Sequence, residues 1–318
     1  VRVVLFGGKN RGTAILRKLI ELNEEVVAVF YFTEDAHEKI WYQKVQDVAK
    51  EKGIPTYDIK ATDKSSVTGI LQKLKPDVIF CVSWRYKLHR EQYSIPSKGC
   101  ICFHDSLLPK YRGFAPMNWA IINGEERTGV TMFYIADDID SGDIIGQKAV
   151  NIGIMDNAKT IDEKLTPLYI ELLIENFPLI ALKKAKRLAQ DHTQATMTCK
   201  RIPEDGLINW SQSSYQIYNL TRGLTDPYPG AFTFLRDTSG VRKIYIWKAS
   251  LDDEKKLYSG RIPGRIVEIL KGKGVKILTG DGTLIIEDIS QENQPEKIKA
   301  DKIIKSVKAT LGTFSFTT

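Results

Sequence analysis

The sequence predicts an α/β protein: a Rossmann-like, mostly parallel sheet followed by a small antiparallel β-barrel. Three observations carry that prediction. Apolar strand patterns alternate with helical periods through residues 1–190. From residue 207 onward, short alternating strands are separated by Gly and Asp. Between them, over residues 191–206, the hydrophobic period lapses and the chain reads as a linker. The expected organisation is a first domain of residues 1–190 and a second of residues 207–318.

Each element follows from its local pattern. VRVVLF is a buried-strand run, GGKNRG a glycine-bearing turn, and TAILRKLIEL a helical period. Gly7, Gly8 and Gly12 miss the GxGxxG spacing, so the turn reads equally as a tight strand-to-helix connection. VVAVFYF is a second strand, and EKIWYQKVQDVAKEKG predicts a helix ending at Gly53. VTGILQKLKPDVIFCVSW gives a helix and a strand, and GCICFH a further strand before the loop DSLLPKYRG. Ile161 to about Gln190 predicts a helix interrupted near Pro167 and Pro178. SSYQIYNLTRGL is a shorter helix, and TFLRD, KIYIWKA, GRIVEILKG, GVKILTGDG and TLIIEDIS are the barrel strands.

Composition removes several classes. With 42% apolar and 27% charged residues the chain has the balance of a soluble globular protein. Its net charge of +7 is spread thinly, with 27 Lys and Arg against 24 Asp and Glu up to residue 190, and 19 against 15 beyond it. No basic arm therefore selects nucleic acid. Cys81, Cys100, Cys102 and Cys199 have no metal-ligand companions and form no disulfide framework. No run reaches the roughly 18 apolar residues of a membrane span, and no cationic leader precedes the first strand. The expectation is a cytoplasmic protein, with a homo-oligomer left open.

The chemistry centres on CFHDSLLPKYRG, residues 102–113. His104 falls where a strand ends, and ligands of parallel sheets bind beyond carboxyl strand ends. A second polar group, IADDIDSGD at residues 135–143, follows the strand GVTMFY. A histidine and an aspartate from adjacent strand ends form an oriented general base, the carboxylate favouring the protonated imidazole. A purely structural, hydrogen-bonded histidine is the alternative. Cys102 shares a strand face with His104, so a thiol nucleophile activated by the imidazole also stays open. Zinc lacks a fourth ligand, and the aspartate turn fails the calcium-loop spacing, so no metal is expected.

The stretch His104–Gln147 resembles the signature of formyltransferases that use N10-formyltetrahydrofolate, and the likeness extends over residues 1 to about 300, including an OB-like barrel. The resemblance implies formyl transfer from that folate to an amine. It places the family histidine on His104 and the aspartate on Asp140. The family asparagine, whose amide stabilises the developing oxyanion, falls on Cys102. A thiol donates weakly, so this departure implies a substitution, a slow enzyme or a compensating donor. By the same resemblance Trp84, Arg85, Tyr86, Lys87, Leu107, Leu108, Ile135, Asp137 and Asp138 lie in the cofactor-binding segments. Lys9, Asn10, Arg11, Pro109, Arg112 and Tyr228 are candidates for the substrate.

Two segments address the amine. After their second strand, tRNA formyltransferases carry a basic, glycine-rich insertion. This chain has TEDAHEKIWYQKVQDVAKEKGIP, including His37, Glu38, Lys39, Ile40 and Trp41, with no glycine before Gly53. NLTRGLTDPYPGAF, Asn219–Phe232, likewise resembles the enzymes that formylate nucleotide-linked amino sugars. A nucleotide-linked amino sugar is the expected substrate, methionyl-tRNA the alternative, and a catalytically impaired folate-binding homologue the third. The resemblance points to lipopolysaccharide biosynthesis.

Overall fold

A computed structural model describes residues 1–36, 38–254 and 256–314. His37 lies outside them. The chain divides into two compact units, one of Val1–Met117, Glu126–Ile152 and Ile161–Lys200, the other of Asn118–Glu125, Gly153–Thr160 and Arg201–Thr318. Among the described residues no helix is long and apolar enough to cross a membrane.

The first unit is built on β1 (Arg2–Gly7), α1 (Lys9–Glu21), β2 (Glu25–Tyr31), α2 (Val45–Glu51), β3 (Thr56–Asp58), α3 (Lys64–Leu74), β4 (Val78–Val82), α4 (Arg90–Tyr93) and β5 (Cys100–His104). There follow β6 (Arg112–Gly113), α5 (Pro116–Ile122), β7 (Arg127–Tyr134), β8 (Ile144–Asn151), α6 (Ala158–Ala181) and β9 (Met197–Thr198), of which α5 from Asn118 and α6 up to Thr160 belong to the second unit. The main sheet has the order β3-β2-β1-β4-β5-β7-β8. It is parallel from β3 to β5 and antiparallel at β5–β7 and β7–β8. Alternation sorts its side chains. Val4, Phe6, Ile79, Cys81 and Cys100 join one core under Val67 and Leu71 of α3. On the other face, Phe80 and Phe103 meet Phe177 and Tyr169 of α6.

Two helical expectations change. Of EKIWYQKVQDVAKEKG only Val45–Glu51 is helical. The residues before it are held by side chains instead: Tyr42 donates to Glu34, and Glu38 accepts from Arg85. The expected interruption of α6 is absent, and the helix runs through both prolines to Ala181. Pro167 and Pro178 lie on its exposed side, as do Glu163 and Ile174, the residues one turn before them.

The second unit holds α7 (Ser214–Leu224), β10 (Ala231–Asp237), β11 (Gly240–Leu251), β12 (Ile266–Leu270), β13 (Gly274–Leu278), β14 (Thr283–Gln291), β15 (Gln294–Lys299), α8 (Ala300–Ile303) and β16 (Thr310–Gly312). The strands form one antiparallel sheet of order β12-β13-β14-β11-β10-β16, with β15 on β14. It curls into an OB-like barrel, and an Arg265–Thr310 bridge ties its edges. Ile217, Leu235, Ile244, Ile246, Val275, Ile277 and Ile286 fill its core. The five expected strands form. β15, QPEKIK, is mostly exposed and carries no apolar alternation that sequence reading could detect.

Gly264 makes the closure possible. Its N–H donates to Leu278 O at 2.8 Å, and its carbonyl accepts from Leu311 N at 2.8 Å. Its φ is +88°, and a Cβ would overlap the Leu311 carbonyl oxygen. Gly272 also has positive φ, +76°, but a Cβ there meets nothing within 4 Å. Gly264→Ala is expected to destabilise this unit by about 3 kcal/mol and Gly272→Ala by about 1. Urea unfolding followed by tryptophan fluorescence measures the difference, and equal losses would contradict the closure role.

Candidate active site

The strand order reverses between β1 and β4, so the loops after these strands flank a crevice at their carboxyl ends. Gly8 N donates to Val82 O at 3.1 Å, and a Cβ on Gly8 would overlap the Phe32 ring. The three residues of this loop named as candidates for the substrate are engaged within the unit. Lys9 Nζ pairs with Glu38 at 3.2 Å. Asn10 donates to Asp162 at 2.7 Å. Arg11, 4% exposed, pairs with Asp105 and with Asp162 at 2.8 Å, and lies 5.2 Å from the Tyr169 ring centre. The guanidinium is thus turned into the protein between two carboxylates. Burial raises the pKa of Asp162 despite Arg11, and burial with Asp105 raises that of Tyr169, whose hydroxyl donates to Asp105.

This network anchors Asp105, the residue after His104. His104 is 7% exposed. Its Nε2 lies 2.7 Å from the Tyr111 carbonyl, and its Nδ1 lies 3.5 Å from Asp140 Oδ2. A carbonyl only accepts, so Nε2 carries a proton, and in the neutral ring the Nδ1 lone pair faces the carboxylate. Asp140 Oδ2 also accepts from Gly113 N at 2.8 Å. Asp140 does not arrive from a neighbouring strand end of the same sense. β7 runs antiparallel to β5, with Tyr134 opposite Ile101, so residues 135–143 double back to bring Asp140 to His104. Ile135 N donates to Cys100 O at 2.9 Å at the start of that return.

Cys102 is half-buried on the same strand face, packed against Leu108, Phe133 and Ile144. Burial, followed by the charges of Cys81 and Asp140, pushes its thiol well above the ordinary range. The protonated thiol points to Phe103 O, 3.6 Å away, and makes no hydrogen bond to His104. An activated thiolate nucleophile does not fit this environment. Among the described residues no three His, Cys, Asp or Glu side chains gather to hold a metal ion.

The loop that follows His104 is pinned by polar groups that sequence reading missed. Thr131 Oγ1 donates to Ser106 O at 2.6 Å and accepts from Leu108 N at 3.1 Å, and Gln147 Nε2 donates to Leu108 O at 2.8 Å. Pro109 O accepts from Thr196 N at 3.3 Å. Tyr111 N donates to Thr196 Oγ1, and β6 pairs in parallel with β9. Arg112, expected to meet a substrate anion, is 7% exposed and donates to Gln190 Oε1 at 2.6 and 3.2 Å and to His192 Nδ1 at 3.1 Å. Sequence reading placed Gln190 at the end of the long helix, which stops at Ala181, and His192 and Thr196 in the linker, and it singled out none of them.

The segment after β4 leaves its strand at Ser83, whose φ is +48°. Trp84 packs on Phe6, Phe32 and Tyr86 with ring centres 5.1, 5.6 and 5.6 Å away, and Lys87 is exposed. Trp84 Nε1 is buried with no acceptor among the described residues. Leu107 is half-buried; Asp137 is exposed and accepts from Tyr93, while Asp138 is exposed and its carbonyl accepts from Ser141. Tyr228 belongs to the second unit, where its N–H donates to Thr225 O.

Arg85 lies 4.1 Å over the Phe32 ring and donates to Glu38 at 2.9 Å. Burial opposes ionisation of Glu38, but Lys9, the Asp35 N–H and Arg85 together lower its pKa from 4.5 to about 2. A depressed carboxylate stabilises the fold above its unfolded pKa, and that contribution fades as pH falls from 4.5 toward 2. Glu38→Gln is expected to cost about 2 kcal/mol at pH 7 and clearly less at about pH 3. A gap in urea-unfolding free energy that stays constant between these conditions contradicts the assignment.

With this geometry the chain can be set beside known proteins. The formyl transferase family model matches residues 1–176, and the formyl transferase C-terminal domain model matches residues 200–308. The chain is 36% identical over 319 residues to the bifunctional polymyxin resistance protein ArnA of Wigglesworthia glossinidia brevipalpis, covering 97% of this chain and 47% of that protein. It is 35% identical over 307 residues to the methionyl-tRNA formyltransferase of Clostridioides difficile (strain 630), covering 95% and 96%. The chain therefore spans about half the length of the first relative and nearly all of the second. Two solved structures share the fold. WlaRD, a sugar 3N-formyl transferase crystallised with dTDP and 5-N-formyl-THF, aligns with a TM-score of 0.67 at 19% identity over 92% of this chain and 98% of its own. HypX from Aquifex aeolicus, in complex with tetrahydrofolic acid, aligns with a TM-score of 0.62 at 17% identity over 96% of this chain and 47% of its own. Both domain models and both sequence relatives lead to one assignment: the chain is a transferase that belongs to the formyl transferase family.

Proposed function

We propose that the chain transfers a formyl group from N10-formyltetrahydrofolate to the amine of a nucleotide-linked amino sugar, with His104 as the proton acceptor. The observation that carries the transfer chemistry is the bracketing of His104 by two acceptors, Tyr111 O and Asp140. The folate, when bound, supplies an activated formyl carbon. Ser83–Lys87 and residues 135–140 are the segments that hold it. The buried Trp84 Nε1 fits a polar heterocycle, because a ring heteroatom is the kind of acceptor it lacks.

His104 takes at Nδ1 the proton that the amine loses on attack at the formyl carbon, and hands it to the donor nitrogen that departs as its bond to that carbon breaks. Between the two steps both of its nitrogens carry protons, and each faces an acceptor, so the imidazolium is held without reorganisation. Asp140 sets the ring orientation and neutralises its charge. Cys102 stands at the position of the oxyanion-binding residue, and its thiol, directed at Phe103 O, is a weaker donor than an amide.

The sugar reading rests on the segment after β2. Glu34, Asp35 and Glu38 occupy the place of a basic insertion, and Lys9, Lys60 and Arg85 pair with Asp35 or Glu38. Cations spent on carboxylates offer little to a phosphate backbone. A second reading, formylation of methionyl-tRNA, is favoured by the near full-length match to the clostridial enzyme of that name.

Incubation with N10-formyltetrahydrofolate and a panel of amino-sugar nucleotides, alongside methionyl-tRNA, separates the readings. Formylation of a sugar nucleotide is expected, and formylation of the tRNA alone would sink the sugar assignment. On the active substrate, His104→Gln is expected to lower kcat by about 10³. Cys102→Asn is expected to raise it by about 10². An unchanged rate in Cys102→Asn refutes the oxyanion role given to position 102.

A further inference from the structure

We infer that Gln190 is a positioning residue of the transfer centre, holding Asp140 and the Tyr111–Gly113 backbone on opposite sides of His104. The inference rests on the proposed role of the His104–Asp140 pair. Gln190 is 6% exposed, and its side chain uses its whole hydrogen-bonding capacity. Nε2 donates to Asp140 O at 2.8 Å and to Gly142 O at 2.7 Å. Oε1 accepts two bonds from Arg112. One amide thus joins the loop that carries Asp140 to β6.

β6 and the residue before it do the rest. The Tyr111 carbonyl accepts from His104 Nε2, and Gly113 N donates to Asp140 Oδ2. Three successive residues contact the ring, the clamp and the carboxylate in turn. Tyr111 and Asp140 both sit at positive φ, +61° and +49°, which non-glycine residues keep only when their surroundings impose it. Gln190 holds the Asp140 side directly and the Tyr111 side through Arg112, where Thr196 and the β6–β9 pair hold it too.

Gln190→Glu separates this role from packing, because it preserves the shape and the Arg112 contact but loses both donors to the Asp140 loop. Gln190→Glu turns an oxygen toward two buried carbonyls and is expected to lower the melting temperature by several degrees, as is Gln190→Met, so kcat is compared at a temperature where both variants are folded. The kcat of Gln190→Glu is expected to fall about 30-fold with the KM for the formyl donor nearly unchanged, as for a small misplacement of reacting groups. In an Asp140→Asn background the same substitution should cost less than about threefold, because the two act as a unit. A readout independent of turnover is the His104 Nε2 proton in the NMR spectrum. Hydrogen-bonded to Tyr111, it is expected to exchange slowly in the wild type and rapidly in Gln190→Glu and Gln190→Met. Full kcat in Gln190→Glu, equal losses in both backgrounds, or an unaltered imidazole signal would overturn the inference. If no acceptor is formylated by the wild type, the functional reading fails while the NMR comparison still decides the clamp.

Discussion

A carbonyl cannot donate a hydrogen bond, so the contact between Tyr111 O and His104 Nε2 fixes the proton on that nitrogen and leaves the other to Asp140. The rest of the first unit is arranged around this asymmetry. The parallel strands deliver His104 to the carboxyl end of β5. The Arg11, Asp105, Asp162 and Tyr169 network fixes the strand end from one side. The β6–β9 pair fixes the loop bearing Tyr111 from the other. An imidazole with two built acceptors can gain a proton without any group having to move.

The antiparallel β7 imposes a second constraint. A parallel strand would have released its loop at the same edge as His104, whereas β7 releases it beside Ile101. The loop must return toward the His104 end of β5, and it does so with Asp140 in a left-handed conformation, while Cys102 packs against Phe133 and Ile144 of the strands on either side of that loop. The same burial that protonates the Cys102 thiol keeps it from competing as a nucleophile.

The elements visible in the sequence were those whose burial imposes a period. β1, β2, β4 and β5 are nearly continuous apolar runs, and Phe232, Ile244, Ile246, Ile277 and Ile286 mark barrel strands at alternate positions. His104 and Asp140 were legible through a motif, and the structure brings them to 3.5 Å. The supporting residues were not. Thr196 and Thr198 lie where the period lapses, and Gln190 at the edge of it, because their task is to satisfy backbone groups of another segment rather than to face a core. Arg11 and Arg112 misled for the opposite reason. A cation in a turn reads as a ligand for anions until the carboxylates and amides that neutralise it are brought near by the fold.

That redistribution of charge bears on the partner. A net charge of +7 offers cations in number, yet the mouth of the β1–β4 crevice has Lys9 and Arg85 bound to Glu38 and Lys60 to Asp35. Association with a polyanion would have to exchange these pairs for phosphate contacts, losing carboxylate interactions strong enough to hold Glu38 ionised to about pH 2. A small ligand with a single diphosphate can be met by backbone N–H groups and one or two side chains, with no such exchange. The acidic segment after β2 therefore acts by subtraction. It neutralises the cations through which a long phosphate backbone would grip this edge of the unit, which is the physical support for the compact nucleotide-linked substrate proposed above.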